Sequence, residues 1–278
     1  MTAEARVREL MMGIEGLALL RNTIDGDEEF LTARVAEMQK IIDSAGGGVE
    51  MLTEMDAATG YAAWAPTYDS KPNFILAVEE PVVESLLARI PPGSALDAAC
   101  GTGRHTVTLI EHGHDVIGVD QSPEMLELAA TKAPEAQFLV GDLTGLPIPD
   151  ASVDLVLCAL ALCHLHDVAD AIAEFRRVLR PGGRLIVTDV HPIMLLLTSQ
   201  LIFAYRPGEL ALIRRHPHQV SDHLTAFATH GFSFISCHEP LYAGPLPPDG
   251  YEERIPDAAN AAWAGIPSAI IYEMRASA

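Results

Sequence analysis

Between residues 94 and 190 the chain alternates short apolar runs with amphipathic ones, and no other feature limits its fold as tightly. The apolar runs at 94–98, 115–119, 137–140, 153–158 and 184–189 have the length of strands. The segments at 103–112, 122–133 and 168–179 have helical spacing. Strands joined through helices run parallel, because each crossover brings the chain back to the same end of the sheet. The sequence therefore predicts an α/β fold, a doubly wound, mostly parallel, Rossmann-like sheet. Local signals agree: Ser122-Pro123 reads as a helix N-cap and its first residue, and Pro181-Gly182-Gly183 as a turn before the fifth strand.

Outside that stretch the pattern changes. Val7, Leu10, Met11, Ile14, Leu17 and Ala18 line one helical face, and Leu31, Val35, Met38 and Ile42 line a second, which Gly46-Gly47-Gly48 ends. Residues 1–50 thus read as a helical hairpin whose apolar stripe covers either its own main domain or a second subunit, building a homodimer. Residues 51–278 form the main domain. It carries a cap insertion at 192–220, helical over 192–205, and a long Pro- and Gly-rich loop at 239–267. A helix at 221–230 and strands at 232–238 and 268–274 complete it, for seven strands in all.

Composition excludes several classes. At 278 residues and 49% hydrophobic, the chain is too apolar to be disordered and long enough for a sizeable core. Its formal charge of −20, with no basic segment to offset it, argues against nucleic acid or an anionic membrane as partner. The longest apolar run, Leu155 to Cys163, falls short of the roughly 20 residues of a membrane span. Four cysteines without a C-x-x-C pair, and a start that mixes Glu with Arg, suggest a reducing cytoplasm. Cys100, Cys158 and Cys163 read as packing residues.

The chemistry concentrates at the strand ends. Leu96-Asp97-Ala98-Ala99-Cys100-Gly101-Thr102-Gly103-Arg104 joins the first strand to its helix through small residues, which let a ligand approach the backbone. A dinucleotide fingerprint fits poorly, since Thr106 stands where the third Gly or Ala belongs. Val119-Asp120 ends the second strand, and an acid there can take both hydroxyls of a ribose. Gly141-Asp142-Leu143 follows the third, with an acid for an exocyclic amine. The run Val153 to Ala159 forms the fourth.

Together, in this order, these motifs resemble the class I S-adenosylmethionine-dependent methyltransferases over about residues 60–190. The likeness is strongest to the small-molecule branch that includes the ubiquinone and menaquinone methyltransferases, which Arg177 to Leu185 also resembles. The resemblance implies S-adenosylmethionine as cofactor and S-adenosylhomocysteine as product. It implies that Asp97, Gly101 and Gly103 hold the methionine part, with Ala99 where the family has its first glycine. Asp120 and Gln121 take the ribose, and Asp142 and Leu143 frame the adenine. The backbone of Cys158 and Ala159 faces the amino-acid end, and Tyr61 and Tyr68 in the segment 60–69 cover the cofactor. Trp64 in that segment reads as core before substrate contact.

Methyl transfer to a hydroxyl benefits from a general base, and histidine suits neutral pH. His191 and His164 both follow strands at the ligand-binding end of the sheet. His191 is the preferred base; His164 sits in a Leu-rich run, where a structural histidine is the competing reading. His216, His218 and His223 are too irregularly spaced to make a metal site the leading reading. The expected activity is O-methylation of a small hydroxylated molecule such as a sugar, polyketide or quinol. C- or N-methylation and non-catalytic cofactor binding are the alternatives, and a nicotinamide dehydrogenase is a distant one. The acidic total suggests a neutral or weakly charged acceptor.

Overall fold

The computed structural model describes residues 2–44, 49–70, 73–197, 201–242 and 254–277. The Gly46–Gly48 helix stop and the middle of the 239–267 loop lie outside the described residues. In chain order the elements begin with β1 (Thr2–Arg6), α1 (Val7–Arg21), α2 (Glu28–Asp43), β2 (Val49–Met55), α3 (Ala57–Trp64) and α4 (Phe74–Leu87). The alternating stretch follows: β3 (Ser94–Ala98), α5 (Arg104–Glu111), β4 (Asp115–Asp120), α6 (Pro123–Lys132), β5 (Gln137–Val140), β6 (Val153–Ala159), α7 (Ala169–Val178) and β7 (Leu179–Val190). The remainder comprises α8 (Pro192–Leu197), β8 (Leu201–Arg206), β9 (Glu209–Ile213), α9 (Val220–Thr229), β10 (Phe232–His238), α10 (Pro256–Trp263) and β11 (Ala269–Ala276).

Seven strands form the main sheet in the order β10-β11-β7-β6-β3-β4-β5. From β7 to β5 every pairing is parallel, and β11 and β10 add antiparallel at one side. The chain winds outward through β4 and β5, then restarts on the other side of β3 with β6, so the carboxyl ends of β3 and β6 face a crevice where α/β sheets bind ligands. Alternate side chains feed two cores. Ala95, Leu155, Leu157 and Ile186 pack with α1, α2, α4 and α10 on one face. Leu96, Val156, Cys158 and Val187 pack with α7 and α9 on the other. Ser122 caps α6 by accepting from the Met125 N–H at 3.2 Å, and residues 180–183 bulge from β7 between its pairings at Leu179 and Arg184.

The helical hairpin lies against its own main domain. Ile14, Ala18 and Ile41 join the first core, and the Arg21 guanidinium donates to the Ala262 and Ala264 carbonyls at the end of α10, both at 2.5 Å. The segment also has a part that the helical pattern does not announce. β1 and β2 belong to a second sheet of four strands, ordered β1-β2-β9-β8, and the boundary expected at residue 50 falls inside β2. The expectation of a helix over 192–205 is corrected: α8 stops at Leu197, and Leu201–Arg206 is strand β8, paired antiparallel with β9. The 239–267 loop contains a helix, α10. No helix among the described residues is long and apolar enough to cross a membrane.

Candidate active site

A cavity of about 330 Å³ opens at the carboxyl ends of β3, β4, β5 and β6. The turn after β3 forms its floor. Ala99 and Gly101 both take left-handed backbone, with φ of 59° and 53°. A Cβ added at Gly101 would meet nothing within 4 Å, so the backbone there faces open space. That conformation is cheap for glycine and costs alanine about 1 kcal/mol. Asp120, at the tip of β4, binds this turn to the next one: its Oδ2 accepts from the Gly101 N–H at 2.8 Å, and its Oδ1 from the Ser122 N–H at 2.9 Å. Burial raises the Asp120 pKa, and these backbone donors work against that rise. Each carboxylate oxygen keeps a lone pair for a ligand. Gln121, Asp142 and Leu143 complete this end, with Asp142 Oδ1 held by the Thr144 N–H at 2.8 Å.

Arg104, the first residue of α5, also lines the cavity. One arginine after a Gly-rich turn carries no motif, so nothing in the sequence sets it apart. Its Nη1 donates to Glu79 Oε2 at 2.7 Å. Glu79 is fully buried, and its other oxygen is 2.9 Å from His105 Nε2 and accepts from the Thr188 hydroxyl at 2.9 Å. Burial pushes the Glu79 carboxyl up, but His105 and Arg104 outweigh it and hold its pKa at about 2. An ionised, fully bonded Glu79 thereby fixes a cation at the cavity edge.

The opposite wall is aromatic. The Trp64 ring stacks on Phe203 of β8 at 4.8 Å and meets Tyr68 edge-on at 4.9 Å; Tyr61 lies 6.1 Å from both Trp64 and Tyr68. Tyr61, Trp64 and Tyr68 all line the cavity. The Tyr61 hydroxyl lies 2.9 Å from His164 Nε2. Burial, then the Arg215 charge, lowers the His164 pKa to about 4, so the ring is neutral at pH 7.

Ten of the residues singled out from sequence line this one cavity: Tyr61, Tyr68, Ala99, Gly101, Asp120, Gln121, Asp142, Leu143, Ala159 and His164. The other four lie outside its lining. Asp97 is 1% exposed and accepts from the Thr106 hydroxyl at 2.6 Å. Gly103 is set against Ala129, and Cys158 is wholly buried among the second core's side chains. His191 is 9% exposed with both ring nitrogens engaged: Nδ1 accepts from the Ile193 N–H at 3.2 Å, and Nε2 lies 2.9 Å from Glu239 Oε1. It therefore braces the start of α8, while His164, the less favoured histidine in the sequence, holds the place beside the cavity. Among the described residues no three His, Cys, Asp or Glu side chains converge as a metal site.

Residues 96–187 match a family described as "Methyltransferase domain". This stretch of the chain is similar to methyltransferase domains. Over 90 residues the chain is 49% identical to an uncharacterized methyltransferase of Mycobacterium tuberculosis, covering 32% of this chain and 37% of that protein. A demethylmenaquinone methyltransferase of Renibacterium salmoninarum is 34% identical over 134 residues, 46% of this chain and 56% of its own. The chain thus spans under two thirds of the length of these curated relatives. The fold is similar to an S-adenosylmethionine-dependent methyltransferase from Mesorhizobium loti, with a TM-score of 0.56 and 23% identity over 73% of this chain and 100% of that one.

S-adenosylmethionine is the cofactor of such a domain, and the residues present fit it. The open backbone at Gly101 admits close contact, Asp120 and Asp142 offer carboxylates to hydroxyls and an amine, and Arg104 offers a cation to a carboxylate.

Proposed function

We propose that this protein transfers a methyl group from S-adenosylmethionine to an oxygen of a small molecule. The observation that carries the reading is the Tyr61–His164 pair, 2.9 Å apart, in the same cavity as the cofactor-type strand ends. Bound S-adenosylmethionine supplies an electrophilic methyl carbon on a sulfonium, which leaves as a neutral thioether when the carbon bonds the acceptor oxygen.

The chain's own residues do the rest. Asp120, Asp142 and Arg104 fix the donor at the ends of β4, β5 and α5, and the aromatic wall excludes water. Alignment of this kind accounts for roughly 7–11 kcal/mol of a displacement barrier. With the imidazole proton on Nδ1, the Tyr61 hydroxyl donates to His164 Nε2 and accepts from the acceptor hydroxyl. As the acceptor oxygen is methylated, its proton passes to the Tyr61 oxygen and the Tyr61 proton to His164 Nε2. Burial raises the Tyr61 pKa well above its usual value, so the phenol stays protonated until that moment.

The test is S-adenosylhomocysteine titration by calorimetry, followed by donor consumption with a panel of small acceptors. His164→Ala and Tyr61→Phe should lower kcat on the order of 10²–10⁴-fold with cofactor affinity held. Cofactor binding with no turnover on any acceptor, or undiminished turnover in both variants, rejects the reading.

A further inference from the structure

The acidic composition suggests a neutral or weakly charged acceptor, and the half of the cavity away from the cofactor strands holds a cation. Arg215 lines it, together with Ala57, Tyr61, Trp64, His164 and Leu201. The carboxylates of the lining, Asp120 and Asp142, both belong to the cofactor half.

Arg215 is held in place from both sides. Before it, Arg214 leaves the end of β9 and donates through Nε and Nη2 to both carboxylate oxygens of Glu54 in β2, at 2.5 and 3.0 Å. After it, the His216 N–H donates to the Cys163 carbonyl at 2.7 Å, and His218 Nε2–H donates to the Leu165 carbonyl at 2.8 Å. Three successive anchors thus stitch this strap to the small sheet and to the segment that carries His164. A guanidinium is a planar group with five N–H donors, and two of them match a carboxylate. The same cavity is lined by flat rings, Tyr61 and Trp64, and by the apolar side chains Leu160, Leu165 and Leu201. Such a wall suits a planar, largely apolar body.

We infer that the acceptor is a small hydroxylated aromatic carboxylic acid, its carboxylate seated on Arg215 and its hydroxyl at the Tyr61–His164 pair. The inference rests on the methyl-transfer reading above and gives that reading its substrate class. It makes Arg215 the specificity-determining residue and leaves the proton path untouched. A bound carboxylate also offsets the positive charge of Arg215, one of the forces that keep His164 from accepting a proton; Asp189 on β7 already acts in the same sense, and His216 in the opposite one.

The experiment uses the full chain. Saturated with S-adenosylhomocysteine, it is titrated with 2-, 3- and 4-hydroxybenzoate and with the three matching hydroxybenzamides, which keep the shape and remove the charge. At least one acid should bind ten-fold or more tightly than its amide. In Arg215→Gln that preference should fall below two-fold, and Arg215→Lys should keep part of it, while S-adenosylhomocysteine binds all three proteins alike. Two results overturn the proposal: no acid preference in the native chain, including no binding of any probe, or a preference that survives Arg215→Gln. If S-adenosylhomocysteine itself fails to bind the native chain, the methyl-transfer reading falls and this proposal with it. Cofactor binding without acid preference removes the proposal alone.

Discussion

Asp120 does two things with one side chain. It receives the backbone donors of Gly101 and Ser122, which sets the shape of two turns, and it keeps free lone pairs toward the cavity. Replacing it with Asn retains the size, removes the charge, and puts an amide where one backbone donor points. We expect Asp120→Asn to weaken S-adenosylhomocysteine binding roughly 10- to 100-fold, the range of a lost charge-assisted hydrogen bond, as read by calorimetry. His164 gives a residue-scale prediction about pH. Its pKa in the folded protein, about 4, lies below the ordinary 6.5. Between those values the unfolded chain binds a proton that the folded one refuses. Stability from this residue is therefore complete above pH 6.5 and is lost as pH falls toward 4. Glu79, held at about 2, adds a loss of the same sign at lower pH. Burial raises the Asp97, Asp120 and Glu15 pKa values, which works in the opposite direction. By pH 5 about 2 kcal/mol of the stability from His164 is lost. Denaturant midpoints measured from pH 7 to 5 should fall in the native chain and fall less in His164→Asn; equal slopes would remove this assignment.

At the scale of elements, α3 carries the aromatic wall and β9 supports it. The join between them leaves no spare room. A Cβ at Gly60 would lie 2.5 Å from both Cγ1 and Cδ1 of Ile213, which is 1% exposed at the end of β9. Alanine is intrinsically the better helix former by about 1 kcal/mol. Overpacking costs about 1–3 kcal/mol and leaves the helix to move instead. The residue after Gly60 is Tyr61, so the displacement reaches the Tyr61–His164 contact. Gly60→Ala should lower kcat at least ten-fold while S-adenosylhomocysteine affinity stays within about three-fold, because the turns after β3, β4 and β5 are built on the main sheet. A matching loss of cofactor affinity would show that the two halves are not separable in this way.

At the scale of the whole molecule, the two sheets were unequally legible in the sequence. The main sheet announced itself because its strands are apolar, of uniform length and separated by helices with their own period, so each local choice repeated the same answer. The small sheet did not. Glu50-Met51-Leu52-Thr53-Glu54 has too little contrast to be called a strand alone, and Leu201-Ile202-Phe203-Ala204-Tyr205 fits a buried helix as well as a strand. What makes them strands is pairing with distant partners, which no local window contains. The site divides the same way. Asp120 and Asp142 could be found because strand ends occur in a fixed order. Arg104 and Arg215 carry no motif; what places them is Glu79 for the one and, for the other, the Cys163 and Leu165 carbonyls that anchor its neighbours His216 and His218, all far away in the chain. The sequence ranks the two histidines by their neighbours in the chain, whereas the structure separates them by place: His164 lines the cavity and His191 does not.

The small sheet has a consequence for how the molecule comes into being. β2 and β9 meet across a large span of chain; the ion pair that ties their ends, Glu54 with Arg214, joins residues 160 apart. Closing so long a loop comes late and slowly. The strands β3 to β6 are near neighbours by comparison and need only short crossovers. In pulsed hydrogen exchange during refolding, amides of β3, β4 and β6 should become protected before those of β2 and β9; simultaneous protection would sink the idea. A newly made chain then passes through a stage at which it can grip the methyl donor and has no wall with which to choose what receives the methyl.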